Sequence, residues 1–448
     1  MKLFGTDGIR GTVNTYPITP EMVVRVGMAI GKILHKKHGK NMILIGKDTR
    51  LSGYILESAL TSGICSMGMN VTLTGPLPTP GIAYLTKSLR FDTGIVISAS
   101  HNPYQDNGIK IFSAEGFKLK DSLEAEIEGL VLNETFTIAN RPGNNIGKAY
   151  RLEDATARYI EYVKSTIPRE AIFDGLKVVV DSANGAAYKV TPTLLAELGA
   201  HVISINDKPD GKNINAKCGS LHIDRLAEYV VKHHAHVGVA HDGDADRTLF
   251  CDETGKIVDG DLIMALWAKE LKSEGKLKND TVVSTIMSNL GLEHYLQKHG
   301  IKLLRTQVGD RYVVEEMLET GCNFGGEQSG HVIMLQLNTT GDGPISAVQM
   351  LNIVNKSGKT LSELASDVTL YPQVLINVKV AVKKQIDRCP DVVSAIEAAE
   401  KQLEGTGRVL VRPSGTEPKI RVMLEGNDQQ QIEQLGETIA QAVRAAMS

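Results

Sequence analysis

Short runs of β-branched and aliphatic residues alternate with helical patterns along this chain, and that alternation limits the fold more than any other feature. Met42–Ile45, Ile95–Ile97, Val178–Val180, Val237–Ala240 and Thr281–Ser284 read as buried strands. Strands separated by helical segments predict βαβ architecture. Thr19-Pro20 supplies an N-cap and first-turn pair for one helix, which the pattern carries to His38 with Gly39 as its stop. In such sheets ligands bind beyond the carboxyl ends of the strands. The residues that follow the runs are polar and Gly-rich, reading "GKDTRLSG", "SASHNP", "DSANG" and "HDGDADR". Turn formers accumulate at "NRPGNNIGK" (140–148), at "DETGK" (252–256) and near Tyr371-Pro372. They divide the chain into α/β segments 1–150, 151–255 and 256–369 and a smaller α+β segment, 370–448. The recurring strand-then-loop pattern predicts similar structures in the first three segments without a sequence repeat.

Composition narrows the function. Forty-nine Lys and Arg face 52 Asp and Glu, a net charge of -3, so no overall basic field exists for nucleic acid or an anionic membrane. Phosphate recognition has to be local. The five cysteines are odd in number and lack Cys-x-x-Cys spacing, which argues against a disulfide framework or a zinc site and fits a reducing compartment. No run approaches the roughly 18 apolar residues of a membrane span, and "MKLFGTDGIRG" breaks into Gly and Asp too early for a signal peptide. A cytoplasmic protein is expected.

Three loops carry chemistry. "HDGDADR" sets Asp242, Asp244 and Asp246 at alternate positions after a strand; such carboxylates repel unless a cation gathers them, and hard oxygen donors suit Mg²⁺. The plain alternative is a solvated acidic turn. A calcium-binding EF-hand is excluded by Arg247, which stands where the sharp turn requires Gly. "GGEQSGH" (325–331) offers Glu327 and Ser329 on a Gly-bounded loop that can grip sugar hydroxyls or be an ordinary turn. "RPSGTEPKIRV" (412–422) places Arg412 and Arg421 around a Ser-Gly-Thr turn that can hold a phosphate or stay a solvated surface turn. Two stretches are decoys. "NKSGKT" ends like a nucleotide-binding loop but lacks its leading Gly, and Thr360 with Glu363 makes a capping box; "KHHAHV" lies where histidines favour a helix's last turn.

Ser100 in "SASHNP" has two readings. Asn102-Pro103 is good turn chemistry, so a turn role suffices for the segment alone. The chemical option is a serine that carries a phosphoryl group, which needs a metal, a nearby cation or acid–base group, and a substrate anchor. The acidic triplet, Lys110 and the arginine loop would supply these.

The loops "SASHNP", "DGDADR", "GGEQSGH" and "RPSGTEP" occur together in this order, and through them the whole chain resembles the α-D-phosphohexomutase superfamily. The opening "FGTDGIRG", "QVGDRYV" (307–313) and Gln328 between Glu327 and Ser329 are most similar to its bacterial branch acting on glucosamine phosphates. Relatives acting on mannose and glucose phosphates usually carry Met at the position of Gln328 and His at that of Asp310.

The resemblance implies four domains around a central cleft: three similar α/β mixed-sheet domains and a smaller C-terminal α+β domain related to the TATA-binding-protein fold. It implies interconversion of glucosamine 6-phosphate and glucosamine 1-phosphate, on the route to UDP-N-acetylglucosamine and peptidoglycan, by an isomerase-class phosphotransferase. Ser100 is then the phosphoserine and shares one Mg²⁺ with Asp242, Asp244 and Asp246. Lys110 becomes the candidate general base, provided that its pKa is lowered, while Arg10, His101, Arg247 and His331 become cleft cations. Gly309, Asp310, Glu327, Ser329 and His331 match substrate contacts, and Arg412, Ser414, Gly415, Thr416 and Arg421 match the phosphate anchor. Glucosamine 1,6-bisphosphate or glucose 1,6-bisphosphate would be the activator, and a monomer or homodimer with no nucleic-acid or membrane partner is expected. The competing functions are a phosphomannomutase/phosphoglucomutase, a Mg²⁺-dependent sugar phosphatase and a non-catalytic phosphosugar-binding protein.

Overall fold

Each of the first three sheets contains an antiparallel hairpin, and the loops of those hairpins hold Ser100, the acidic triplet, and Glu327 with Ser329. The computed structural model describes the chain except residues 1, 2, 6, 37, 38, 137–142, 382–384, 414–418 and 448. The first sheet contains β1 (Ile9–Thr12), β2 (Met42–Lys47), β3 (Asn70–Pro76), β4 (Thr93–Ile97), β5 (Asp106–Ser113) and β6 (Ala149–Arg151), in the order β1-β5-β4-β2-β3-β6. β2, β3, β4 and β6 run parallel, whereas β5 is antiparallel to β4 and β1. Strand β6 continues this sheet through Arg151, so the first α/β layer closes just past residue 150.

The second sheet has β7 (Lys177–Asp181), β8 (His201–Ile205), β9 (Val237–His241), β10 (Thr248–Asp252) and β11 (Ile257–Val258), ordered β11-β10-β9-β7-β8. The third has β12 (Thr281–Thr285), β13 (Lys302–Thr306), β14 (Phe324–Gly326) and β15 (Val332–Met334), ordered β13-β12-β14-β15. Again parallel strands precede an antiparallel turn-back, β9 to β10 and β14 to β15. All five strands read from the sequence are present, β4 and β9 with every residue buried, as expected for strands covered on both faces.

The last sheet, β16 (Gln373–Lys379), β17 (Gly407–Pro413) and β18 (Lys419–Gly426), is wholly antiparallel in the order β16-β18-β17. Its core joins Val378, Ile420 and Leu424 to Ile432, Ile439 and Val443 of helix Gln429–Met447. The chain separates into two compact units, residues 1–287 with 303–366, and residues 288–302 with 367–448. Segment 288–302 joins the C-terminal unit because the Asn289 carboxamide pairs with the Tyr371 backbone, accepting from its N–H and donating to its carbonyl at 2.9 Å each. Among the described residues no helix is long and apolar enough to cross a membrane, and the cysteines are free thiols.

The helix predicted to reach His38 spans Pro20–Leu34. Its start is as read, with Thr19 Oγ1 accepting from the Met22 N–H, but His35 is already extended. Asn41 explains the early stop: its side chain accepts from Lys36 N at 2.8 Å and donates to Lys36 O at 2.9 Å, occupying groups that another helical turn would need. Thr360 and Glu363 form the capping box, and "KHHAHV" lies at the end of helix Asp224–His233, where His236 Nδ1 accepts from Lys177 N.

Helices Pro20–Leu34 and Gly53–Ser66 meet at glycines. A Cβ on Gly63 would stand 2.2 Å from the Val24 carbonyl oxygen, and one on Gly27 2.6 Å from that of Leu60. Ala outranks Gly by about 1 kcal/mol in helices, but overpacking against backbone that cannot swing aside costs ~1–3 kcal/mol. Gly63→Ala should therefore lower the melting temperature without changing the fold. A higher melting temperature would show that the helices do not cross this closely.

Candidate active site

Asp242, Asp244 and Asp246 lie in the β9–β10 loop, all buried, with ligand oxygens within 4.8 Å of one another. Burial, then repulsion from Asp246 and Asp244, pushes the Asp242 carboxyl up to about 8. Asp244 Oδ1 and Asp246 Oδ1 are buried and have no hydrogen-bond partner. Orphaned hard oxygens in a like-charged cluster fit a divalent cation of the Mg²⁺ kind. Asp244 Oδ2 is held by the hydroxyl of Thr79 at 2.6 Å and by Lys110 Nζ at 2.9 Å.

Ser100 sits in the wide loop between β4 and β5, buried, with φ +51 in the left-handed region. Its Oγ donates to Asp242 Oδ2 at 2.6 Å and lies 3.3 Å from His101 Nδ1. The Ser100 loop and the acidic loop meet closely: a Cβ on Gly243 would stand 2.5 Å from the Ser100 carbonyl oxygen, so glycine is required there.

Lys110 bridges Asp244 at 2.9 Å, Asp246 at 3.1 Å and Asp7 at 3.3 Å. Burial opposes its charge, but Asp244, Asp246 and Asp7 together outweigh burial and hold its pKa well above the ordinary lysine value. The lowered pKa expected of a general base is therefore not what these side chains produce; Lys110 stands here as an ammonium. His101 is corrected in the opposite sense. Burial, with Arg247 and Arg10 nearby, lowers it to about 4, so it is a neutral imidazole and not a cleft cation.

Around Lys110 the charges alternate in a closed ring. Asp7 pairs with Lys110, Arg10 and Lys118; Lys118 reaches Asp310 at 2.7 Å; His331 lies 3.3 Å from Asp310 and 3.7 Å from Asp246. Although burial opposes its charge, Asp310 and Asp246 raise the pKa of His331, which agrees with its reading as a cation. Arg247 Nε lies 4.0 Å from Asp246 Oδ1, and the Nε atoms of both Arg10 and Arg247 are buried without a hydrogen bond.

The β14–β15 turn presents Glu327, whose Oε1 accepts from the Gly309 N–H at 3.1 Å. Burial is the largest influence on this carboxyl and raises its pKa. Ser329 Oγ is buried and unpartnered, and Asp310 opens helix Asp310–Thr320 directly after Gly309. The compact unit thus gathers Ser100, His101, Lys110, the acidic triplet, Arg10, Arg247, Gly309, Asp310, Glu327 and His331 through the contacts just described.

In the C-terminal unit, Arg412 on β17 stands directly opposite Arg421 on β18. Burial and then Arg421 lower the Arg412 pKa, and its Nε is buried without a partner. Like charges paired across strands are unfavourable unless an anion joins them. Ser414, Gly415 and Thr416 lie outside the described residues.

Five neighbours of the site escaped the sequence reading: Asp7, Lys118, Thr79, Arg50 and Asn215. Asp7 belongs to the quoted "FGTDGIRG" and Arg50 to "GKDTRLSG", so the loops were visible but not their inward-facing members. Lys118, Thr79 and Asn215 carry no spacing signal.

Comparison with known proteins covers the chain. The phosphoglucomutase/phosphomannomutase family matches in four parts: α/β/α domain I at residues 1–138, II at 157–255, III at 259–371 and the C-terminal domain at 375–442. Phosphoglucosamine mutase of Thermodesulfovibrio yellowstonii is 56% identical over 97% of this chain and 97% of its own. Among solved structures, a phosphoglucomutase/phosphomannomutase family protein of Burkholderia thailandensis superposes with a TM-score of 0.83 at 22% identity, covering 99% of this chain and 97% of that one. N-acetylphosphoglucosamine mutase of Aspergillus fumigatus, in complex with GlcNAc-6P and magnesium, gives 0.66 at 18% identity over 100% and 96% of the two chains. The chain therefore belongs to the phosphoglucosamine mutases of the phosphoglucomutase/phosphomannomutase family.

Proposed function

We propose that the protein interconverts glucosamine 6-phosphate and glucosamine 1-phosphate through phospho-Ser100 and a bound 1,6-bisphosphate. The observation that carries this reading is Ser100 Oγ, buried and 2.6 Å from Asp242 at the edge of an underfilled carboxylate cluster. The named relative at 56% identity supports the substrate.

The phosphoryl group leaves Ser100 Oγ as a bond forms from phosphorus to the sugar O1, and the O1 proton, relayed by Lys110 as general base, ends on the freed Ser100 Oγ. The bisphosphate then reorients and returns the O6 phosphoryl group to Ser100, so no net phosphate is consumed. Positioning and electrostatics carry most of such a step. Bound by Asp242, Asp244 and Asp246, Mg²⁺ would neutralise phosphoryl-oxygen charge and, by offsetting carboxylates around Lys110, lower that lysine's pKa toward a general base's range. His101, neutral beside Ser100, hydrogen-bonds the transferring group, while Arg10 and Arg247 turn their unpartnered Nε atoms to substrate phosphate. Glu327 and Ser329 take sugar hydroxyls, and Gly309, Asp310 and His331 line that subsite. Arg412 and Arg421, with Ser414, Gly415 and Thr416, anchor whichever phosphate is not reacting.

Ser100→Ala should abolish mutase turnover in a coupled assay on glucosamine 6-phosphate with a trace of glucose 1,6-bisphosphate, and should remove protein-bound phosphate by intact mass. Substantial residual turnover would refute the covalent route, and faster turnover of mannose or glucose phosphates would reassign the substrate. Mg²⁺ should raise the melting temperature of the metal-free protein, because binding to the folded state alone stabilises it. Asp244→Asn should abolish most of that rise; an undiminished shift would move the metal elsewhere. Arg412→Ala should raise KM by about 10- to 150-fold, the equivalent of roughly 1.5–3 kcal/mol for a charge-assisted contact. An unchanged KM would remove Arg412 from the anchor.

A further inference from the structure

Three backbone carbonyls of the β4–β5 loop and that of Asp106, the first residue of β5, converge on one side chain. Arg50 is 1% exposed, and all five N–H groups of its guanidinium are used. Nε donates to Asp48 Oδ2 at 2.8 Å, Nη2 to the Ser100 and Asn102 carbonyls at 3.0 and 2.8 Å, and Nη1 to the Asp106 carbonyl at 3.1 Å and that of Pro103. Asp48 extends the grip: its Oδ2 also accepts from Ser98 Oγ at 2.6 Å, and Ser98 Oγ accepts from the Ser100 N–H at 2.9 Å. From the metal-loop side, Asn215 Nδ2 donates to the same Ser100 and Asn102 carbonyls at 2.8 and 3.0 Å.

Ser100 needs such a frame. Its left-handed φ of +51 is a conformation that a non-glycine residue keeps only when its surroundings impose it. Asn102-Pro103 provides a turn but does not by itself fix where Oγ lands. The planar fork of Arg50 reads four carbonyls at fixed angles, which a lysine ammonium cannot do. The Asp48 carboxylate balances its charge, so the frame remains dry and stiff.

We propose that Arg50 and Asn215 are positioning residues for the nucleophile: together they impose the loop geometry that aims Ser100 Oγ at Asp242, an inference that rests on Ser100 being the phosphoryl carrier. Neither side chain spends a donor on substrate in this arrangement, so their loss acts through Ser100. A misplacement of about 1 Å costs on the order of 100-fold in rate.

The test uses full-length Mg²⁺-loaded protein, radiolabelled on Ser100 with glucose 1,6-bisphosphate, and follows single-turnover transfer to glucosamine 6-phosphate. Rates are expressed per phosphorylated enzyme, so misfolded protein does not count. Arg50→Lys should slow transfer by about 100-fold while KM stays as in the wild type, and amide exchange should rise at residues 98–106 alone. Asn215→Ala should show the same split to a smaller degree, and it decides the matter if Arg50→Lys does not fold. Wild-type transfer rates in a folded variant, or a loss expressed in KM, would overturn the positioning role while leaving phospho-Ser100 intact. A wild-type protein with no transferable label on Ser100 would instead overturn the covalent reading and this inference with it.

Discussion

Asp242, Asp244 and Asp246 hold three carboxylates out of water within 4.8 Å of one another, and their mutual repulsion sets the terms for the surrounding loops. Uncompensated buried charge is too costly to keep, so each neighbour supplies part of the answer. Lys110 and Thr79 cover Asp244, His331 and Lys110 flank Asp246, and Ser100 donates to Asp242. The compensation stops short, leaving one oxygen each on Asp244 and Asp246 without a hydrogen bond. That residual demand fits the cluster to hold a cation, where full pairing would have left it inert.

The fold meets this demand by repeating one device. In each mixed sheet a strand turns back antiparallel on its neighbour, and the connecting loop projects from the sheet's end: 98–105 after β4, 242–247 after β9, 327–331 after β14. Paired strands on both sides give each loop a rigid base. Close approach between the first two loops then leaves no room for a Cβ at Gly243. Each of these two loops also holds a non-glycine residue at positive φ, Ser100 and Ala245.

Much of this was legible in the residues. The strands, the N-cap at Thr19, the capping box at Thr360 and the polar loops at strand ends follow from local chemistry, and the structure contains them. The Pro20 helix ran shorter than its pattern because Asn41, beyond the predicted stop, took the backbone groups of Lys36. Asp7, Lys118, Thr79, Arg50 and Asn215 were not legible as site neighbours, since an isolated polar residue shows nothing of which distant segment will face it. Protonation states were hidden for the same reason: Lys110 is held charged by carboxylates brought in from elsewhere, and His101 is held neutral by burial and then by Arg247 and Arg10.

By itself the sequence determined the strand–helix alternation, the chemical identity of the loops and the order in which they occur, because hydrophobic periodicity, turn formers and donor types act over a few residues. Only the tertiary structure decided that Ser100 meets Asp242 across 142 positions of chain, and that Lys110 is an ammonium ringed by carboxylates. Electrostatic energy depends on distance through space and on exclusion of water, and a linear sequence specifies neither until the sheets have packed.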